Sequence, residues 1–153
     1  MAFLQLRFVN DPDAEDFINI GNSVGLGKTN APDDVLVVQA LLAINFDNNP
    51  RLKKRRPGNR PVVVSKKLER DTPALIATFQ SVMLNRPQPQ GFCSQAPATA
   101  SNQIDFNTLF RLWGNATLIQ AALAAEEVLT KLQREHPSLQ NLPRRASEMT
   151  IGH

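Results

Sequence analysis

The residues of this chain that could do chemistry are few, and the most suggestive of them form a short glycine-rich segment. Residues 25–29, with the sequence GLGKT, contain the glycine, lysine and threonine with which a phosphate loop holds a nucleotide. A phosphate loop needs a further glycine earlier in the loop, and Asn22 occupies that position here. The lysine and threonine should also open the following helix, whereas residues 30–32 delay it. The segment is therefore interpreted as a flexible loop whose glycines permit positive φ angles.

The spacing of the titratable residues does not indicate a nucleophilic, acid–base or metal site. Cys93 has no candidate base near it in sequence, and neither His136 nor His153 has a second metal ligand at a useful spacing. Asp33 and Asp34 lie where the first turn of a helix is predicted, and carboxylates there stabilise the positive end of the helix dipole. The sequence therefore predicts a protein that is not an enzyme and that has no cofactor and no metal site.

Composition predicts one globular domain. The chain has 153 residues, of which 42% are hydrophobic and 20% charged, an ordinary balance for a globular protein. No apolar run approaches the roughly 18 residues that a membrane helix needs. The N-terminus has no basic region followed by an apolar core. We therefore expect no membrane partner and synthesis in the cytoplasm, with delivery to the periplasm or cell wall depending on a separate secretion machine.

Charge is divided unevenly along the chain. Residues 11–47 contain seven acidic side chains and one lysine, whereas residues 51–70 contain nine of the seventeen basic side chains and one glutamate. A basic run of this kind can contact phosphates or another anionic polymer, but it lacks the interleaved aromatic residues on which bases stack. A solvated loop is favoured over a nucleic-acid site, and contact with an acidic polymer or with the chain's own acidic segment stays open. The basic loop is defined as Arg51, Lys53, Lys54, Arg55 and Arg56.

Three short helices are predicted to position these residues. They begin at Pro32, Asp71 and Asp105, and each combines a polar start with an apolar stripe at helical spacing. In the second helix, Thr72 is expected to cap the N-terminus and Pro73 to occupy the next position, where its missing N–H costs nothing. We expect the three stripes to meet in one hydrophobic core that contains Val35, Val38, Leu42, Phe79, Leu109 and Trp113.

Other segments surround this predicted core. Residues 3–9 partly alternate and predict a short strand, with which residues 60–64 could pair, and residues 17–20 are a possible second strand. Residues 85–102 have no periodicity and are interpreted as a long loop that either lines a binding groove or is an insertion. The longest predicted helix follows, and its apolar stripe over residues 118–132 can dock on the core or on a protein partner, with docking on the core favoured.

Two helical motifs resemble the peptidoglycan-binding domain family. Residues 34–42, with the sequence DVLVVQALL, match its first helix, and residues 72–80, which begin at a threonine and end in Phe-Gln, match its second. Asp105, Thr108 and Leu109 are similar to the family's third element. The resemblance implies a non-catalytic module that holds the glycan and peptide of the bacterial cell wall.

The segment before the first helix resembles a subgroup of the family that is found in bacterial and phage-related proteins. The predicted fold is mainly α, with a compact three-helix peptidoglycan-binding-like core over residues 23–114, an additional long helix over 115–136 and a short N-terminal β-strand pairing. Residues 1–136 are expected to form a single domain, and residues 137–153 a flexible tail.

The candidate ligand-binding residues are polar groups near the helix ends, and for each of them capping or internal hydrogen bonding is the competing interpretation. The basic loop would face anionic wall polymer. The alternative function is a protein–protein adaptor or a structural component of a phage or secretion machine, and a wall hydrolase is the third class. The candidate residues are Gln39, Asp71, Thr72, Gln80 and Asp105.

Overall fold

A computed structural model describes residues 2–5, 17–85, 104 and 125–145 of the chain. This part is mainly helical, with a small sheet, as the sequence predicts. The secondary-structure elements are the strands β1 (Phe3–Gln5), β2 (Phe17–Asn19) and β3 (Arg144–Arg145), the α-helices α1 (Pro32–Asn48), α2 (Pro50–Lys53), α3 (Thr72–Met83) and α4 (Ala125–Glu135), and two 3-10 turns at Pro57–Asn59 and Pro137–Leu139.

Helix α1 is the central element of the described fold. It begins at Pro32, as predicted, and continues to Asn48. Buried residues occur on every side of the helix rather than along one stripe, so α1 is enclosed by the rest of the chain. Val35, Val38 and Leu42 are fully buried and lie in one hydrophobic cluster with Phe79 of α3.

Helix α3 occupies the predicted segment, but its N-terminus differs from the prediction. Asp71 holds the N-cap position and its side chain makes no capping hydrogen bond. Thr72 is not the cap: it is the first helical residue, and only 1% of it is exposed. Pro73 lies in the first turn, where a proline is tolerated. The third predicted helix, with Leu109 and Trp113, lies outside the described residues.

The N-terminal strand pairs, but not with the predicted partner. Strand β1 lies between β2, which is antiparallel to it, and β3, which is parallel. The pairing predicted for residues 60–64 is wrong, because these residues form no strand and β1 has both of its edges occupied. The predicted tail also differs over residues 137–145, since Leu139 is completely buried and β3 joins the sheet.

Helix α4 lies within residues 115–136, for which a long C-terminal helix is predicted. Val128 and Leu132 are buried in the same cluster as α1 and α3, and Leu129 packs against it. In this part of the chain the apolar stripe therefore faces the core; residues 118–124 lie outside the described residues. None of the helices in the described ranges combines the length and apolar character that a membrane crossing requires.

Candidate functional site

Gln39 joins the two helices that carry the sequence motifs. Its side chain is completely buried in α1. The amide nitrogen donates to the carbonyl of Lys67 at 2.6 Å and to the hydroxyl of Thr72 at 3.4 Å, and the amide oxygen accepts from the backbone N–H of Ser65 at 2.8 Å and of Lys66 at 3.2 Å. The side chain thus uses both of its polar atoms inside the protein, and it fixes the loop that leads into α3.

A cleft of about 190 Å³ opens beside this loop, at the N-terminus of α3. Its apolar lining comes from two prolines, a valine and a leucine, and its polar lining from the start of α3 and the loop before it. We call it the α3 cleft; its lining residues are Pro57, Arg60, Pro61, Val63, Glu69, Arg70, Asp71, Thr72 and Leu75.

Two of the four charged side chains that line the α3 cleft form an ion pair with each other. Arg60 forms an ion pair with Asp71, with nitrogen–oxygen distances of 2.9 and 3.1 Å to the two carboxylate oxygens. The Glu69 carboxylate accepts a hydrogen bond from the Ser65 hydroxyl at 2.5 Å. Arg70 is exposed, and within the described ranges its guanidinium has neither a hydrogen bond nor an ion pair. Within the described ranges, the cleft therefore offers a ligand one guanidinium and one carboxylate without an ion-pair partner, those of Arg70 and Glu69.

Three consecutive valines lie beside the cleft, and the middle one, Val63, lines it. Val62 and Val64 are half-buried and pack against the hydrophobic cluster, whereas 56% of Val63 is exposed. This alternation is that of a strand. Considering only the parts of the chain that the structure describes, no hydrogen bond involves the backbone of these three residues. Residues 62–64, which we call the valine segment, thus have a strand's side-chain pattern without a partner strand.

The basic loop is partly tied to the fold and partly free. Asn49 caps α2 by accepting from the Arg51 N–H at 3.0 Å, and Leu52 anchors this turn in the core. Two of the five basic groups have intramolecular contacts: Arg51 donates to the Val82 carbonyl at 3.4 Å, and Arg56 pairs with Asp47 at 3.4 Å. The remaining three are exposed and make no ion pair within the described residues; they are Lys53, Lys54 and Arg55.

The five predicted ligand-binding residues fall into three groups. Asp71 and Thr72 line the α3 cleft, and Thr72 also contacts Gln39. Gln39 and Gln80 are completely buried, and Asp105 lies outside the described residues. Arg60 and Arg70, which also line the cleft, were not predicted individually, although both belong to the basic stretch at residues 51–70.

The glycine-rich segment forms a turn that is held by side-chain hydrogen bonds, and it does not form a phosphate loop. The Asn30 side chain accepts from the Gly25 N–H at 2.8 Å and donates to the Gly25 carbonyl at 2.9 Å, so both backbone groups of Gly25 are occupied. Asn30 itself has a φ of 52°, a conformation that asparagine tolerates better than most residues. The Asp34 carboxylate accepts from the N–H groups of Gly21 and Asn22, so these two donors are already occupied and are not available to an anion.

Of the titratable residues considered for catalysis, Asp33, Asp34 and His136 lie within the described residues. His136 borders a second cavity, of about 230 Å³, between α1 and α4, which Asp47 and Glu135 also line. Within the described ranges, no group of three or more histidine, cysteine or acidic side chains is arranged to hold a metal ion. Cys93 and His153 lie outside those ranges.

The chain matches no protein-family model, and no curated protein or solved structure shows significant similarity to it. The resemblance to the peptidoglycan-binding domain family therefore depends on the motif residues alone, and the function has to be argued from the geometry of the α3 cleft.

Proposed function

We propose that this chain is a non-catalytic module that binds peptidoglycan in the α3 cleft. The observation that carries the proposal is the position of the cleft. It opens at the N-terminus of α3, where the second resemblance motif begins, and Gln39 of the first motif fixes the adjacent loop. The resemblance to a wall-binding family and the concave, mixed-charge site thus coincide on one part of the molecule.

The chemistry of the cleft supports a ligand with both polar and small apolar groups. Pro57, Pro61 and Leu75 provide an apolar surface, and Arg70 provides a cation without a partner among the described residues. Peptidoglycan combines carboxylates, amides and alanine methyl groups, which these features can accommodate. A site of this kind holds its ligand without bond breaking, since catalysis would need a poised base, a nucleophile or a metal.

Sedimentation with purified, protein-free peptidoglycan sacculi tests the proposal. We expect the chain to be retained at 0.15 M salt. At this ionic strength the electrostatic screening length is about 8 Å, so attraction between more distant charges is largely suppressed. Replacing Arg60 and Arg70 together by glutamine should abolish retention. The control is Arg134→Gln, because this exposed residue of α4 does not line the cleft.

Two outcomes would contradict this proposal. One is failure of the wild-type chain to sediment with sacculi at this ionic strength, which would favour the adaptor interpretation. The other is equal retention of the double variant and the wild type, which would move the binding surface away from the α3 cleft.

A further inference from the structure

The valine segment has backbone groups that are available for intermolecular hydrogen bonding. Unpaired N–H and C=O groups along an extended chain are a template for a second extended chain, which adds to them as a strand adds to a sheet. Val62 and Val64 hold the segment against the core, so its backbone is positioned before a ligand arrives. Pro61, which has no N–H, precedes the segment and lines the cleft.

The charge arrangement of the cleft defines what such a ligand must carry. Asp71 neutralises Arg60, whereas Glu69 keeps its negative charge, because its hydrogen-bond donor is the neutral Ser65 hydroxyl. Arg70 is the guanidinium of the cleft that has no ion-pair partner within the described ranges. A guanidinium binds a carboxylate with two parallel hydrogen bonds. The favoured ligand is therefore an extended peptide with a free carboxylate.

The backbone beside the cleft favours a peptide over a sugar chain. The volume of the cleft, about 190 Å³, is below the roughly 300–1,000 Å³ of pockets that enclose small molecules, so the cleft holds only part of a ligand. The rest of a bound chain has to be held outside the cleft, and a peptide can be held there through backbone amides beside the valine segment. A sugar chain has no peptide backbone that could pair with these groups in the same way.

We infer that the α3 cleft recognises the stem peptide of peptidoglycan, extended along the valine segment with a free carboxylate on Arg70. This inference rests on the proposed function and specifies which part of the wall is bound. The glycan strands would then contribute little to affinity.

Calorimetric titration of the full chain with two soluble probes tests this assignment. The first probe is the free stem tetrapeptide, and the second is glycan strands from which an amidase has removed the peptides. The stripped glycan keeps a carboxylate on each muramic acid, so charge alone does not distinguish the probes. We expect the tetrapeptide to bind and the stripped glycan not to bind.

Paired variants separate the two contacts. Val63→Pro removes one backbone N–H, whereas Val63→Thr has a similar shape and keeps it; Arg70→Gln removes the charge, whereas Arg70→Lys keeps it. We expect Val63→Pro and Arg70→Gln each to weaken tetrapeptide binding, by about ten- to hundredfold for the charged contact. Val63→Thr should bind as the wild type does. Should Val63→Pro not fold, hydrogen exchange on the wild type replaces it, with the amides of residues 62–64 gaining protection when tetrapeptide binds.

The outcomes distinguish this inference from the function on which it rests. Retention on sacculi together with binding of stripped glycan, and none of tetrapeptide, would overturn the stem-peptide assignment and leave the wall-binding proposal intact. Absence of retention on sacculi would overturn the wall-binding proposal itself. Tetrapeptide binding that leaves the amides of residues 62–64 unprotected would refute the role of the valine segment.

Discussion

At the scale of single residues, Gln39 shows where sequence reasoning stops. Its position on the first motif marked it as a candidate for ligand binding, with internal hydrogen bonding as the alternative. The structure supports the alternative, since its partners at Ser65, Lys67 and Thr72 lie 26 to 33 residues further along the chain. Helical periodicity places Gln39 on a face of α1, but it contains no information about which loop packs there.

Replacing Gln39 by leucine tests this structural role. The substitution leaves the N–H groups of Ser65 and Lys66 without their acceptor and removes one of the two donors to the Lys67 carbonyl, while an apolar side chain stays in the core. We expect the free energy of unfolding, measured by urea denaturation, to fall by about 2–4 kcal/mol. Gln140→Leu, at an exposed position, should change it by less than about 1 kcal/mol. Equal effects of the two variants would contradict the assigned role.

Asp71→Asn examines the other predicted residue on the cleft. The ion pair with Arg60 is solvent-exposed, with side-chain exposures of 61% for Arg60 and 34% for Asp71, so its loss should cost below about 1 kcal/mol of stability. The substitution releases the Arg60 guanidinium, and the cleft then offers two cations to a carboxylate. We expect several-fold tighter binding of the stem tetrapeptide, measured by calorimetry. Asp47→Asn, which breaks the Arg56 pair outside the cleft, is the matched control; tighter binding by the control alone would reject this explanation.

At the scale of elements, the sequence predicts conformation better than pairing. The run of three valines in residues 60–64 indicated a strand, and Val62 and Val64 do pack against the core while Val63 is exposed. The predicted partner was wrong because β-propensity reflects how a segment fits a half-buried surface and does not specify its neighbour. Strands β2 and β3 pair with β1 instead. Strand β3 is only two residues long, so no periodicity in the sequence could predict it.

The C-terminal segment gives an element-scale prediction. Leu139 is completely buried although the surrounding sequence has no periodicity, and the Leu4 N–H donates to the Pro143 carbonyl at 2.8 Å. Leu139→Ala should therefore lower the free energy of unfolding by about 2–5 kcal/mol in chemical denaturation. Ser138→Ala, at the exposed neighbouring position, should have almost no effect. If both variants have the same free energy of unfolding as the wild type, residues 137–145 do not contribute to stability and this prediction is wrong.

At the scale of the whole molecule, the candidate site comes from segments that are separate in sequence. The turn at Pro57–Asn59, the valine segment and the start of α3 meet only because Gln39 fixes the intervening loop. Sequence motifs located α1 and α3, and charge counting located the basic stretch. Neither method could predict that Arg70 lines the cleft and that Lys53 does not, because the tertiary fold decides the positions of these two residues.

The separation of the α3 cleft from the basic loop predicts two distinguishable contributions to wall binding. Replacing Lys53, Lys54 and Arg55 by glutamine removes three exposed cations and lowers the formal net charge from +3 to zero. Long-range attraction to an anionic wall should weaken, so retention on sacculi should fall at low salt and equal that of the wild type at high salt.

Tetrapeptide affinity should stay within about twofold of the wild type in the same triple variant, because these side chains do not line the cleft. Arg70→Gln should show the reverse pattern, with lost tetrapeptide affinity and an unchanged salt dependence of residual retention. The control replaces Lys28, Lys131 and Arg134 by glutamine, which changes the net charge by the same amount. This control variant should show only a small part of the fall in retention at low salt. If the triple variant instead loses tetrapeptide affinity as Arg70→Gln does, the basic loop and the cleft form one binding surface, and the assignment of the stem peptide to the cleft alone is wrong.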